Sequence, residues 1–155
     1  MSFVIKYVPD FLPVVAPKMV EAGADIMEKA LESSLKESIT ASYNAASSEW
    51  RSKKKPFPRR KPHNSSLVAS IKHSHSFIRN QGTFFKSNVY FVGVRPEGKR
   101  QGEIAAYKNY GAPKKDRFRM PSNFIKEANE KSRRNINRVM QEIFEAKVEQ
   151  LTLSQ

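Results

Sequence analysis

The stretch from Glu103 to Phe124, EIAAYKNYGAPKKDRFRMPSNF, decides the fold. Apolar residues recur at intervals of three from Ile104, which predicts a short helix ending at Tyr110. Gly111 follows where that helix should stop, because glycine takes the left-handed conformation without a Cβ penalty. Pro121 suits the first turn of a following helix, where its missing N–H leaves no hydrogen bond unmade. The stretch therefore predicts a short helix, a glycine stop, a charged loop and an anchored long helix.

A long amphipathic helix is predicted from Phe124 onward. Its apolar face is interrupted by Ser132 and otherwise consists of Phe124, Ala128, Ile136, Val139 or Met140, Ile143, Phe144, Val148 and Leu151. A pattern of about 30 residues corresponds to about 45 Å of helix at 1.5 Å per residue. Because a small hairpin cannot cover that length, we expect part of the helix to project or to pack on a neighbouring subunit.

A second long helix is predicted near the N-terminus. Pro13 and Pro17 each lack a backbone N–H, so the helix is expected to begin only after Pro17. Its apolar positions are Met19, Ala22, Ile26, Met27, Ala30, Leu31, Leu35 and Ile39. We expect it to reach about Tyr43 and to fray between Ala45 and Trp50. Gly23 inside it costs up to about 1 kcal/mol relative to alanine, which favours a close contact with another element.

Alternation with period two predicts a β-hairpin in the middle of the chain. The first strand runs from Ile71 to Ile78 and places His73 and His75 in alternate positions. Residues Asn80–Gly82 supply the turn, and Thr83–Val94 returns as the second strand. Apolar residues occupy both faces of this second strand, which predicts one face on the core and the other on a partner.

Two smaller elements complete the predicted architecture. The cap-like cluster Asn64–Ser66 predicts a brief helical turn, and the alternating Phe3–Tyr7 predicts a short strand next to the hairpin. The fold class is therefore α+β, with a small antiparallel sheet packed against a long N-terminal and a long C-terminal helix and with a basic extended loop. The length of 155 residues fits a single domain spanning residues 1–155.

The positive charge of the chain is concentrated in its middle. Residues 51–120 hold 18 Lys/Arg against 3 Asp/Glu, whereas residues 1–50 hold 4 against 7 and residues 121–155 hold 6 against 5. Such a concentration predicts a nearby polyanion or an acidic protein partner, with plain solubility as the alternative. The segment Arg51–His63 is expected to be an extended mobile arm, because its like charges repel and its prolines remove donors. Its cations Lys53, Lys54, Lys55, Arg59, Arg60 and Lys61 are the candidate phosphate contacts, acting by charge alone.

The sequence offers little material for catalysis. With no cysteine in the chain, thiolate metal sites and disulfides are excluded. His73 and His75 lack a third ligand of the kind that zinc sites need. Neither a nucleophile elbow nor a phosphate-binding glycine loop is present. We therefore expect no enzymatic activity, no cofactor and no metal. The chain also has no run of about 18 apolar residues and no signal-peptide pattern at its N-terminus, so we expect neither a membrane span nor secretion.

Two motifs in this order resemble a known family, the tail-completion or head–tail joining proteins of long-tailed bacteriophages. The first motif is the central run with Ser66, Leu67, Ser70 and Ile71. The second comprises the short helix, its glycine and the proline–aromatic anchor, with Tyr107, Asn109, Tyr110, Gly111, Pro121 and Phe124. The resemblance spans roughly residues 4 to 150.

The resemblance implies a virion structural protein of the phage neck, made in the host cytoplasm. It implies a homo-oligomeric ring, a hexamer by the pattern of the family, around the passage for DNA. The implied partners are other copies of the chain, a head-connector protein, a tail-terminator protein and the packaged DNA, which is contacted without sequence preference. The alternative is a basic nucleic-acid-binding module, ribosome- or chromosome-associated, which would carry aromatic residues among its cations for stacking.

Overall fold

A computed structural model of the chain describes residues 8–52, 65–79, 84–96, 98–111 and 121–153. The described helices are α1 (Val8–Ser52), α2 (Ser65–Ala69), α3 (Gln101–Tyr110) and α4 (Phe124–Leu153). Four short strands lie between α2 and α3, namely β1 (Ile71–His73), β2 (Phe77–Arg79), β3 (Phe84–Lys86) and β4 (Val89–Phe91). Two long helices and a small antiparallel sheet confirm the predicted α+β class, with helix predominating.

The two long helices pack antiparallel along each other. The rings of Phe11 and Phe144 meet edge to face with their centroids 5.3 Å apart. Nearer the middle of α1, Gly23 lies so close to α4 that a Cβ there would sit 3.3 Å from Cγ2 of Ile136. The close contact predicted at Gly23 is therefore confirmed, and α4 is its partner.

The predicted start of α1 is wrong, because regular helix extends from Val8 through both Pro13 and Pro17. Each proline removes one helical N–H donor, but this part of the helix packs on α4. Val15 is only 2% exposed, and the Phe11 ring lies against α4. Burial of apolar surface offsets the lost hydrogen bonds.

The predicted fraying between Ala45 and Trp50 is also wrong, since α1 continues to Ser52. The first two residues of the expected extended arm, Arg51 and Ser52, are thus helical. The rest of that arm, residues 53–63, lies outside the described residues, as does the strand predicted at residues 3–7.

The buried stripe of α4 continues through Ser132, where the sequence predicted an interruption. Ser132 is only 3% exposed, and its Oγ lies 3.4 Å from the Sδ of Met27 on α1. The small serine lets the two backbones approach each other. Helix α1 runs alongside α4 and provides contacts that the hairpin does not, and the packing of part of α4 on a neighbouring subunit stays a prediction. Exposed apolar side chains remain towards its end, at Phe144, Val148 and Leu151.

The hairpin consists of two short antiparallel ladders rather than two continuous strands. Strand β1 pairs with β4, and β2 pairs with β3. Three residues, 74–76, separate β1 from β2, whereas two residues, 87–88, separate β3 from β4. The extra residue makes a β-bulge, which shifts the alternation of side chains. The predicted uninterrupted strand from Ile71 to Ile78 is therefore wrong at this point.

The main core lies where the hairpin, α2, α3 and the start of α4 meet α1. Its buried members are Leu31, Leu35, Leu67, Val68, Ile71, Ala105, Phe124 and Ala128. Val89 and Phe91 pack against this cluster from the inner face of β4. Among the described helices, none combines the length and apolarity that crossing a membrane requires.

Candidate functional site

The junction between α3 and α4 contains most of the second motif. Asn109 is 3% exposed, and its Oδ1 accepts a hydrogen bond of 2.9 Å from the backbone N–H of Ile125. Its backbone carbonyl accepts a further bond of 3.2 Å from the N–H of Asn123. Asn109 therefore caps the N-terminus of α4 from a different helix, satisfying a donor that the helix leaves unpaired.

Gly111 ends α3 with φ 85° and ψ 157°. The predicted positive φ is confirmed, but ψ is extended rather than left-handed helical. That region of φ and ψ is open almost only to glycine, so the constraint on residue 111 is stricter than for an ordinary helix stop.

The proline–aromatic anchor divides into two parts with different roles. Phe124 is fully buried as the first residue of α4 and meets Phe91 edge to face at 6.4 Å between ring centroids. Pro121 is exposed and lies three residues ahead of the helix, so its predicted place in the first turn is wrong. The residue that turns the chain into α4 is Asn123, with φ 51°.

The two tyrosines of the motif point into solvent. Tyr107 is 49% exposed and Tyr110 is 72% exposed. They share one stripe of α3 with the exposed Glu103 and Ala106, because residues three and four apart lie on the same helix face. Their large rings contribute little to the core, so packing alone does not explain them.

The first motif is structural in all its buried positions. Leu67 and Ile71 belong to the core. Ser70 is buried, its Oγ donates to the Leu67 carbonyl at 2.6 Å, and its own carbonyl accepts the Val92 N–H at 2.7 Å. Ser70 thereby joins the end of α2 to the first ladder of the hairpin.

Two glutamates of α1 hold the bulged strand. The Glu21 carboxylate accepts hydrogen bonds from the backbone N–H and the Oγ of Ser76, at 2.9 and 3.1 Å. The backbone hydrogen bond from Ser76 is the largest of the causes that hold the pKa of Glu21 below its usual value. Glu28 lies about two turns further along the same helix. Its Oε2 is 2.5 Å from Nδ1 of His73.

His73 and His75 lie in different surroundings. His73 is half-buried beside Glu28, whereas the His75 side chain is fully exposed, with its Nδ1 3.7 Å from Oε1 of Glu21. No group of three potential metal ligands occurs within the part of the chain that the structure describes. The contacts of Glu21 and Glu28 could not be predicted from the sequence, because their partners lie about 50 residues away and no local pattern marks them.

The outer hairpin face, defined here as Lys72, Tyr90 and Val92, is exposed. Lys72 and Tyr90 are direct partners across β1 and β4. Tyr90 is 43% exposed and Val92 is 39% exposed, while the opposite face carries Ile71 and packs on the core. The prediction that one face of the hairpin packs on the core is confirmed for this ladder, and contact of the other face with a partner stays a prediction.

Three exposed cations lie before and after β4 in the chain. Lys86, Lys99 and Arg100 are exposed, and an isolated bridge pairs Arg100 with the exposed Val94. The six arm cations, Lys53, Lys54, Lys55, Arg59, Arg60 and Lys61, lie outside the described residues. Lys86, Lys99 and Arg100 are therefore exposed cations in addition to those of the basic arm.

Comparisons with protein-family models, with curated proteins and with solved structures found no match to this chain.

Proposed function

We propose that the protein is a non-catalytic structural component of the neck of a long-tailed phage virion. In this role it joins the head connector to the tail terminator as a homo-oligomeric ring around the DNA passage. The ring, its six-fold size and its two protein neighbours rest on the resemblance of the two motifs. The protein would be made in the host cytoplasm and end in the virion.

The exposed tyrosines of α3 are the observation that carries the proposal. Within the second motif, Asn109, Gly111 and Phe124 build the α3–α4 junction, and that junction presents Tyr107 and Tyr110 to solvent. Tyrosine is enriched at protein interfaces, where it supplies a large contact area at a small cost in side-chain entropy. A motif that fixes two exposed tyrosines fits an assembly protein better than an isolated monomer.

The second support is the charge distribution. The excess of 18 cations over 3 acids in residues 51–120 fits a subunit that lies close to packaged DNA. A protein that lines a passage for DNA needs attraction to phosphate without sequence preference, which surface lysine and arginine provide.

Light scattering after size-exclusion chromatography, with negative-stain imaging of the peak, tests the proposal. We expect the wild-type protein to form rings at high concentration, and Tyr107→Ser/Tyr110→Ser to shift it towards monomer. Leu12→Ser is the matched control, since it removes an exposed apolar side chain from α1. A wild-type protein that stays monomeric at every concentration would contradict the ring, and equal behaviour of the variant and the control would remove the tyrosines from the contact.

A further inference from the structure

We propose that the outer hairpin face binds single-stranded nucleic acid, with a base stacking on Tyr90 and the neighbouring cations holding phosphates. This site does not depend on the neck function, and its residues are different from the α3 tyrosines and from the cations of the basic arm.

A tyrosine and a lysine face solvent side by side on the outer hairpin face. Lys72 and Tyr90 stand directly opposite each other in the β1–β4 ladder, and both are exposed. Directly opposite residues in an antiparallel pair have Cβ atoms about 4.5–5.5 Å apart. The Lys72 ammonium is therefore within reach of a phosphate of the nucleotide whose base stacks on the Tyr90 ring.

The charged residues of the hairpin and of the segment before α3 are mostly basic. Exposed Lys86 ends β3, and exposed Lys99 and Arg100 lie between β4 and α3. In the sequence from residue 64 to residue 102, the acidic residues are limited to Glu97. The glutamates of α1 that approach the hairpin, Glu21 and Glu28, are engaged with Ser76 and His73. The described surface here is therefore suited to a polyanion.

The Tyr90 ring favours nucleic acid over an acidic protein and a single strand over a duplex. A half-exposed aromatic ring next to a lysine matches a base and its phosphate, the combination that non-specific single-strand binders use. Bases in a duplex are already stacked on each other, so only an unpaired base can place its face on Tyr90. Stacking tolerates any base, so we expect little sequence preference.

The experiment is fluorescence anisotropy of the full-length protein with a labelled oligothymidylate of about 20 nucleotides and with a duplex of equal length. We expect the single strand to bind more tightly. Tyr90→Leu should weaken single-strand binding by about 5- to 150-fold, the effect of losing one stacked base. Tyr90→Phe should stay within about twofold of the wild type, because phenylalanine keeps the ring.

Salt dependence separates the two parts of the site. Tyr90→Leu should leave the slope of log K against log salt unchanged, whereas Lys72→Gln should reduce its magnitude by about 0.7, the value for one phosphate of a single strand. Leu12→Ser is the control, since it removes an exposed apolar side chain from α1 and should leave the affinity unchanged. Circular dichroism and thermal melts verify that each variant is folded.

Three results would overturn the proposal. The first is equal single-strand affinity for Tyr90→Leu and the wild type, and the second is equal affinity of the wild type for single strand and duplex, which would leave charge as the whole interaction. The third is binding of polyglutamate with the same dependence on Tyr90, which would assign the surface to an acidic polypeptide.

Discussion

The carboxylate of Glu21 on α1 accepts the backbone N–H of Ser76 in the hairpin at 2.9 Å. Ser76 belongs to the three residues, 74–76, that lie opposite only two residues of the other strand, so one of the three has no cross-strand partner. The helix thus supplies the acceptor that the neighbouring strand does not, and it fixes the hairpin against α1 at the point where pairing is interrupted.

Protonation of Glu21 should loosen this attachment. Its pKa in the folded protein is lowered from 4.5, first by the backbone hydrogen bond from Ser76 and then by the Ser76 hydroxyl. A lowered folded pKa means that the stabilisation is present above about pH 4.5 and is lost as the pH falls through the folded value. We expect Glu21→Gln, which keeps an acceptor oxygen but not the charge, to make the free energy of unfolding less dependent on pH in this range. Urea titrations between about pH 3 and 7 measure it.

The control for this prediction is Glu37, whose pKa is lowered mainly by a hydrogen bond from Lys131. Glu37→Gln should flatten the pH dependence in the same range, but hydrogen exchange of the hairpin amides should rise only in Glu21→Gln. Equal exchange of the hairpin amides in the two variants would contradict the role of Glu21 in holding the bulge against α1.

Replacement of Gly111 should be costly for a backbone reason. At φ 85° and ψ 157° an alanine meets strain of about 1–3 kcal/mol. Gly102→Ala is the matched control, because a Cβ there has no heavy atom within 4 Å and the helix gains up to about 1 kcal/mol from alanine. Thermal melts should therefore rank Gly111→Ala well below the wild type and Gly102→Ala at or above it. The reverse order would contradict the conformation of the junction.

Two buried serines should respond in opposite directions to alanine. Ser34 is fully buried, and its Oγ has no partner among the described residues, so Ser34→Ala should raise the free energy of unfolding by up to about 1 kcal/mol. Ser70→Ala removes the 2.6 Å hydrogen bond to the Leu67 carbonyl and should lower that free energy by about 1 kcal/mol. Chemical denaturation measures both, and a destabilised Ser34→Ala would indicate that its hydroxyl has a partner, such as a bound water.

The basic arm should give duplex DNA binding that depends on salt and not on sequence. Replacing Lys53, Lys54, Lys55, Arg59, Arg60 and Lys61 with glutamine should flatten the log–log slope, which is about −0.9 per phosphate contacted. Unrelated duplexes should bind within about 1 kcal/mol of each other, since one good base contact contributes about 1–3 kcal/mol. A salt titration by anisotropy measures both effects, with glutamine at Lys29, Lys36 and Lys126 as the control. A flat titration of the wild type or a strong sequence preference would refute binding by charge alone.

Periodicity predicted the elements that are regular and missed the features that depend on distant partners. The stripe of α4 and the two faces of β4 are visible in the sequence because each repeats over several residues. The bulge at residues 74–76 leaves no such mark, since one extra residue keeps the local alternation plausible. Helix through Pro13 and Pro17 was missed because its support comes from α4, far along the chain.

In the candidate site, too, local features were predictable from the sequence and contacts between distant residues were not. The end of α3 at Gly111 was predictable from residue type, because few other residues tolerate positive φ. The capping by Asn109 was not, because its acceptor serves Ile125 across a loop rather than its own helix. Exposure of Tyr90 opposite Lys72 required the register of the hairpin, which composition does not give.

The pinned ends of the α3–α4 connection make it a natural place for insertion. The carbonyls of Lys108 and Asn109 accept the backbone N–H groups of Ser122 and Asn123 at 3.1 and 3.2 Å, so the chain departs and returns at one spot. Lengthening a connection with fixed ends costs only about 0.6 kcal/mol for each doubling, because the closure entropy grows with the logarithm of length. An epitope or a dye-binding peptide placed between Gly111 and Pro121 should therefore leave both helices in position and provide a label on the folded protein.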